Sequence, residues 1–101
     1  MDGLVELRVK LIFFEQAQQC FRFPVQNTIR VSVWFKDQRP SLPAEVVVEH
    51  EPLQLNTERF LKLRVVRNEL LMKNFLVDNK LFLGPHYEAI GEATILQIIK
   101  Q

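Results

Sequence analysis

Few residues of this chain are equipped for chemistry on their own: two histidines and one cysteine stand among 101 residues. His50 lies in the stretch EHEP and His86 in PHYE, each close to a glutamate. An imidazole with a carboxylate neighbour can act as a general base or hold a metal ion. Adjacent residues of an extended chain point to opposite faces, however, so His50 and Glu49 make poor co-ligands. Two histidines and one cysteine also lack the spacing of a zinc site. Both histidines therefore read as solvated surface residues. Cys20, between EQAQQ and FRFP, has no local base or activating signature that would make it a nucleophile. It reads as a buried or half-buried structural thiol. No acid–base pair or nucleophile can be assembled from these spacings, so no enzyme, metal or cofactor is expected.

The more suggestive feature is aromatic and basic. Phe21, Arg22, Phe23 and Arg30 come close together, Trp34 and Lys36 share one face of a predicted strand, and Arg39 follows. Aromatics interleaved with arginines can stack bases and pair phosphates, as in small barrels that bind single strands. Against this, the formal net charge is only +1, whereas nucleic-acid domains usually carry a basic excess. In the plainer reading, Phe21 and Phe23 plug a barrel end while Arg30 and Lys36 solvate an ordinary face. Trp34 points outward on the alternation. It is then either a protein-interface anchor or covered by a second layer. These seven residues are the candidate binding set. Lys62, Arg64 and Arg67, with Glu69 and Lys73 nearby, read as cross-strand ion pairing on a wet face.

The elements that must position these residues alternate. In LVELRVKLIF (4–13), Val5, Leu7, Val9 and Leu11 share one face and Glu6, Arg8 and Lys10 the other, the period of a half-buried strand. TIRVSVWFK (28–36) repeats it, with Ile29, Val31, Val33 and Phe35 inward and Arg30, Ser32 and Trp34 outward. AEVVVEH (44–50) is a short strand entered through RPSLP, whose two prolines predict a loop or an edge. ERFLKLRVVR (58–67) alternates again, with Leu61, Leu63 and Val65 opposite Lys62, Arg64 and Phe60. ELLMKNFLV runs to Asp78-Asn79, a turn pair, and after LFLGP the stretch AIGEATILQII (89–99) is the closing strand. EQAQQC and NELLMKN have helix-friendly residues but are too short to stand alone. Six or seven strands with short turns in one domain predict an all-β fold, a small closed antiparallel barrel. Gly91, inside the last strand, is expected at a bend of that barrel, with Ile90 and Ile95 filling the core.

The order of features resembles the third, C-terminal β-barrel domain of elongation factor Tu and its relatives, over nearly the whole chain. VELRVKLIFF resembles the family's opening strand, and NTIRVSVWFKD sits where its second strand would be. LNTERFLKLRVV looks like its turn and long strand, with Asn56, Thr57 and Glu58 in the turn. FLVDNKLFLGPHYEAIGEATILQII is similar to its closing pair, with Phe75 at the start and Ile90-Gly91 at the family's V-G position. The family's arginine-bearing G-G-R hairpin is replaced by DNKLFLGPHYE, and its glycine-rich turn by EQAQQCFRFP. The resemblance thus implies the fold and no functional residue. No GxxxxGK[ST] is present, so no nucleotide is expected.

The acidic, alternating start MDGLVELRVK lacks a signal-peptide layout, and no apolar run approaches the ~18 residues of a membrane span. A lone thiol suits a reducing compartment. The expectation is a cytoplasmic, non-catalytic binding module that recognises a protein partner, self-association included. Its recognition face would carry Trp34 and the loops EQAQQCFRFP and DQRPSLP. The alternative is an RNA-binding accessory in which Arg22, Arg30, Trp34, Lys36 and Arg39 grip tRNA or ribosomal RNA.

Overall fold

The alternation in 4–13 becomes a ten-residue strand, β1 (Leu4–Phe13), with Val5, Leu7, Val9, Leu11 and Phe13 fully buried between outward Glu6, Arg8 and Lys10. The computed structural model describes residues 3–38, 40–85 and 88–100, so Arg39 and His86 lie outside the described residues. Five further strands follow: β2 (Ile29–Phe35), β3 (Leu42–Val47), β4 (Arg59–Val66), β5 (Lys80–Gly84) and β6 (Gly91–Lys100). They close into an antiparallel barrel in the order β1-β4-β3-β2-β5-β6. Long β1 is the hinge of this order, pairing with β4 from Leu4↔Val66 to Leu11↔Arg59 and with β6 from Glu6↔Lys100 to Phe13↔Gly91. Two register shifts in the β1–β6 pair, at Glu6/Leu7 and Arg8/Val9, supply the extra twist that closure demands.

The interior is filled by the inward residues of every strand, including Val33, Val46, Leu63, Leu81, Leu83, Ala93 and Ile95. Because all neighbours run antiparallel, the connections fall at two ends. Among the described residues the upper end carries 14–28, 48–58, 85 and 88–90; the lower end carries 36–38, 40–41 and 67–79, where β1 begins and β6 finishes. At the upper end a 3₁₀ segment (Glu15–Gln19) buries Ala17, and a bridge joins Val25 to Leu53. At the lower end a second 3₁₀ segment (Glu69–Asn74) buries Leu71, and Phe75 just after it meets Phe35 edge-on at 5.2 Å between ring centroids. Asn68 caps that segment, its Oδ1 accepting from Leu70 N–H at 2.9 Å. Both segments are too short to be stable alone and are held by what they bury. No helix among the described residues is long and apolar enough to cross a membrane.

Two expectations are refined. β3 begins at Leu42, inside the stretch expected as a loop or an edge, and Pro43 is a strand residue opposite Ser32. The β3–β4 ladder starts only at Ala44↔Val65, so the missing proline N–H removes no bond from it. Gly91 opens β6 immediately after a bend at Ile90, and Ile90 and Ile95 are buried as expected. The reason for glycine is close approach: a Cβ there would lie 2.7 Å from the Ile12 carbonyl oxygen and 2.9 Å from Phe13 Cδ1.

Candidate functional site

The structure divides the six described candidate residues, all but Arg39, among different surroundings. Phe21 and Phe23 are half-buried and pack on Phe13, with ring centroids 6.2 and 5.7 Å away. They plug the upper end, the plainer of the two expected roles, while Arg22 between them is exposed. Arg30 projects from the outer face of β2 with its side chain 90% exposed. Lys36 is exposed just past the far end of β2, at the lower end of the barrel. The set therefore forms no single aromatic and basic surface.

Trp34 corrects the expectation of an exposed anchor. It does face outward, between the core residues Val33 and Phe35, yet it is only 8% exposed. Phe82, directly opposite on β5, lies 6.3 Å from it between ring centroids. Covering by the protein's own side chains, the second of the two outcomes considered for Trp34, removes it as a free docking residue. Cys20 is the reverse correction: the thiol expected to be buried is exposed, because it falls just after the first 3₁₀ segment, past the buried Ala17. His50 is exposed, as expected, in the β3–β4 connection. Arg59 braces that connection, donating through Nη1 to the Pro52 carbonyl at 2.7 Å and through Nη2 to the Glu51 carbonyl at 3.1 Å. Among the described residues no three His, Cys, Asp or Glu side chains converge as metal ligands.

The outer face of β2, β3, β4 and β1 carries an ordered row of charges. Arg30, Glu45, Arg64 and Glu6 stand in register on successive strands. The contacts tighten along the row: Arg30 to Glu45 at 4.0 Å, Arg64 to Glu45 at 3.7 Å and Arg64 to Glu6 at 3.5 Å. Arg64 is thus shared between two carboxylates, while Arg30 ends the row at the limit of ion pairing. Two shallow depressions meet at Arg30, Val31 and Pro43. One, of about 300 Å³, runs toward Phe21 and Pro85; the other, of about 270 Å³, runs toward Leu4 and Val66.

Neither a family model nor a curated relative matches the chain.

One surface escaped the sequence reading. Seven large apolar side chains are exposed among the described residues, and six of them belong to the lower end: Leu4, Val66, Leu70, Leu76, Val77 and Ile99. Leu70, Leu76 and Val77 are the extreme cases, at 79, 56 and 55% exposure. The upper-end connections, by contrast, expose glutamine, glutamate, asparagine and arginine. Single exposed aliphatics mean little, whereas grouped ones are a common feature of interaction surfaces. The available signal was the composition of ELLMKNFLV, which holds more aliphatic residues than one short segment can bury. Leu71 and Phe75 go inward; Leu70, Leu76 and Val77 have nowhere to go.

Proposed function

We propose that this chain is a non-catalytic binding module that recognises another protein through the lower end of its barrel. Its sequence resembles the C-terminal β-barrel domain of elongation factor Tu, most of all in the closing segment, and the proposal is that it serves as a docking domain of that general kind. The observation that carries the reading is the concentration of exposed aliphatic side chains at the end carrying 67–79, against a polar opposite end. Burying such side chains on a partner gains roughly 25 cal/mol per Å² of apolar area removed from water. The interaction face moves accordingly from Trp34 to Leu70, Leu76 and Val77. The test is a paired Leu70→Asp and Leu76→Asp variant. It should keep the wild-type melting temperature, since both side chains are exposed, while losing the species that the wild type retains after cross-linking in native extract. Sedimentation over a range of concentrations separates self-association from a foreign partner. An identical retention pattern for wild type and variant would overturn the reading.

A second reading, contact with RNA, draws on a different face. Phe60 is 67% exposed and opposite Lys10, and next to this pair Arg8 faces Lys62 across the same two strands. Like charges in direct opposition are unfavourable, and an exposed ring beside cations can stack a base. Glu49, Glu51 and Glu58 line the same groove and oppose phosphate, which favours the protein reading. A salt titration of labelled tRNA decides. RNA contact requires affinity that falls steeply with salt and drops on Phe60→Ala.

A further inference from the structure

The two depressions on the outer face of β2 and β3 have largely apolar walls, with Ser32 in one and the Glu45–Arg64 pair in the other, and meet at one weakly compensated charge. Leu4, Val66, Val31, Pro43 and Pro85 supply the walls. Arg30 supplies the charge, its side chain 90% exposed and its one carboxylate contact among the described residues at 4.0 Å. Glu45, that contact, is held more closely by Arg64. We infer that this groove binds an extended acidic peptide segment whose apolar side chains occupy the two depressions and whose carboxylate pairs with Arg30.

The chemistry of the groove selects this occupant. Beside the Glu45–Arg64 pair its walls are mainly aliphatic and prolyl, suited to burying side chains rather than stacking bases, and its ring, Phe21, is already packed against Phe13. Glu45 and Glu6 in the same row would repel a phosphate backbone with a charge at every residue, yet leave room for one carboxylate at the end of the row. A guanidinium with free N–H groups takes a carboxylate in two parallel hydrogen bonds. Leu4 and Val66 belong both to the groove and to the aliphatic lower end. A partner docked at that end would therefore extend a segment up the groove without a break. The inference deepens the protein-binding reading and rests on it.

The test uses fluorescein-labelled peptides with a central glutamate flanked on each side by a pair of leucines. Versions with central glutamine or lysine, and a labelled oligoribonucleotide of equal length, complete the set. By anisotropy the glutamate peptide should bind about tenfold or more tightly than the glutamine peptide, the scale of one charge-assisted hydrogen bond at a partly exposed site. Arg30→Glu, at an exposed position, should fold normally and reverse the preference toward lysine. Amide shifts in nitrogen-15 spectra should move at Val31, Ala44 and Glu45. Binding indifferent to the central residue, an Arg30→Glu protein with unreversed preference, shifts confined to 69–77, or tighter binding of the oligoribonucleotide would each overturn the inference. If the peptides fail while Leu70→Asp with Leu76→Asp still removes the partner, the groove assignment falls and the docking reading stands.

Discussion

Replacing Gly91 by alanine tests the closure of the barrel with a single methyl group. Gly91 faces Phe13 on one side and Leu83 on the other, so it belongs to both ladders that hold β6. An added Cβ would sit 2.7 Å from the Ile12 carbonyl oxygen and 2.9 Å from Phe13 Cδ1. The first is backbone within the β1–β6 pair and the second is a fully buried ring, so neither can swing aside cheaply. Overpacking of this kind costs about 1–3 kcal/mol, and contact with backbone places Gly91→Ala in the upper half of that range. No glycine among the described residues has a positive φ, so alanine regains about 0.5 kcal/mol by restricting the unfolded chain. The net expectation is a loss of about 2 kcal/mol. For a domain of this size that lowers the melting temperature by roughly 8–16 °C. Urea unfolding followed by far-ultraviolet circular dichroism should show a lower midpoint with an unchanged slope. Gly3→Ala is the internal control, because nothing lies within 4 Å of its added Cβ, and it should shift stability by less than about 0.5 kcal/mol. If Gly91→Ala matches Gly3→Ala, the approach of β1 to the start of β6 is not as described and the reasoning fails.

Trp34→Ala should destabilise the fold by about 3–5 kcal/mol, as expected for emptying a buried aromatic site. The wild-type tryptophan emission should be blue-shifted; emission typical of free indole would contradict the burial. Asn68→Ala removes the cap on the second 3₁₀ segment and should cost about 1 kcal/mol, read as a shift in urea midpoint and faster amide exchange at Leu70. Arg64→Ala breaks two half-buried ion pairs and should cost less than about 1.5 kcal/mol, with the difference shrinking in high salt. A cost that is large and salt-independent would mean that Arg64 acts through packing.

How much the sequence disclosed follows from what strict alternation can encode. In β1 and β4 each inward residue meets the core and each outward residue meets solvent or a charge, so pattern and burial agree residue by residue. At Trp34 the pattern gives the face correctly and the exposure wrongly. The outside of a barrel is not uniformly wet, and the aromatic neighbour Phe82 comes from a strand nearly fifty residues away in sequence. Of the two readings left open by the prolines, a loop or an edge, Pro43 takes the edge: it lies in β3 before the ladder with β4 begins, a point set by β4. The exposed aliphatics of 69–77 went unread because apolar residues after a strand suggest more core, and only the three-dimensional count of available interior places decides how many fit.

The return of β6 to β1 has a consequence for recognition. A partner finds no strand with a whole free edge to which it could append its own backbone, since every strand already has a neighbour on both flanks. On the docking reading proposed above, the grip is made chiefly by side chains, at Leu70, Leu76 and Val77 and along the groove beside Arg30. On that reading the choice of partner can be rewritten by surface substitutions while the ring beneath them stays unchanged.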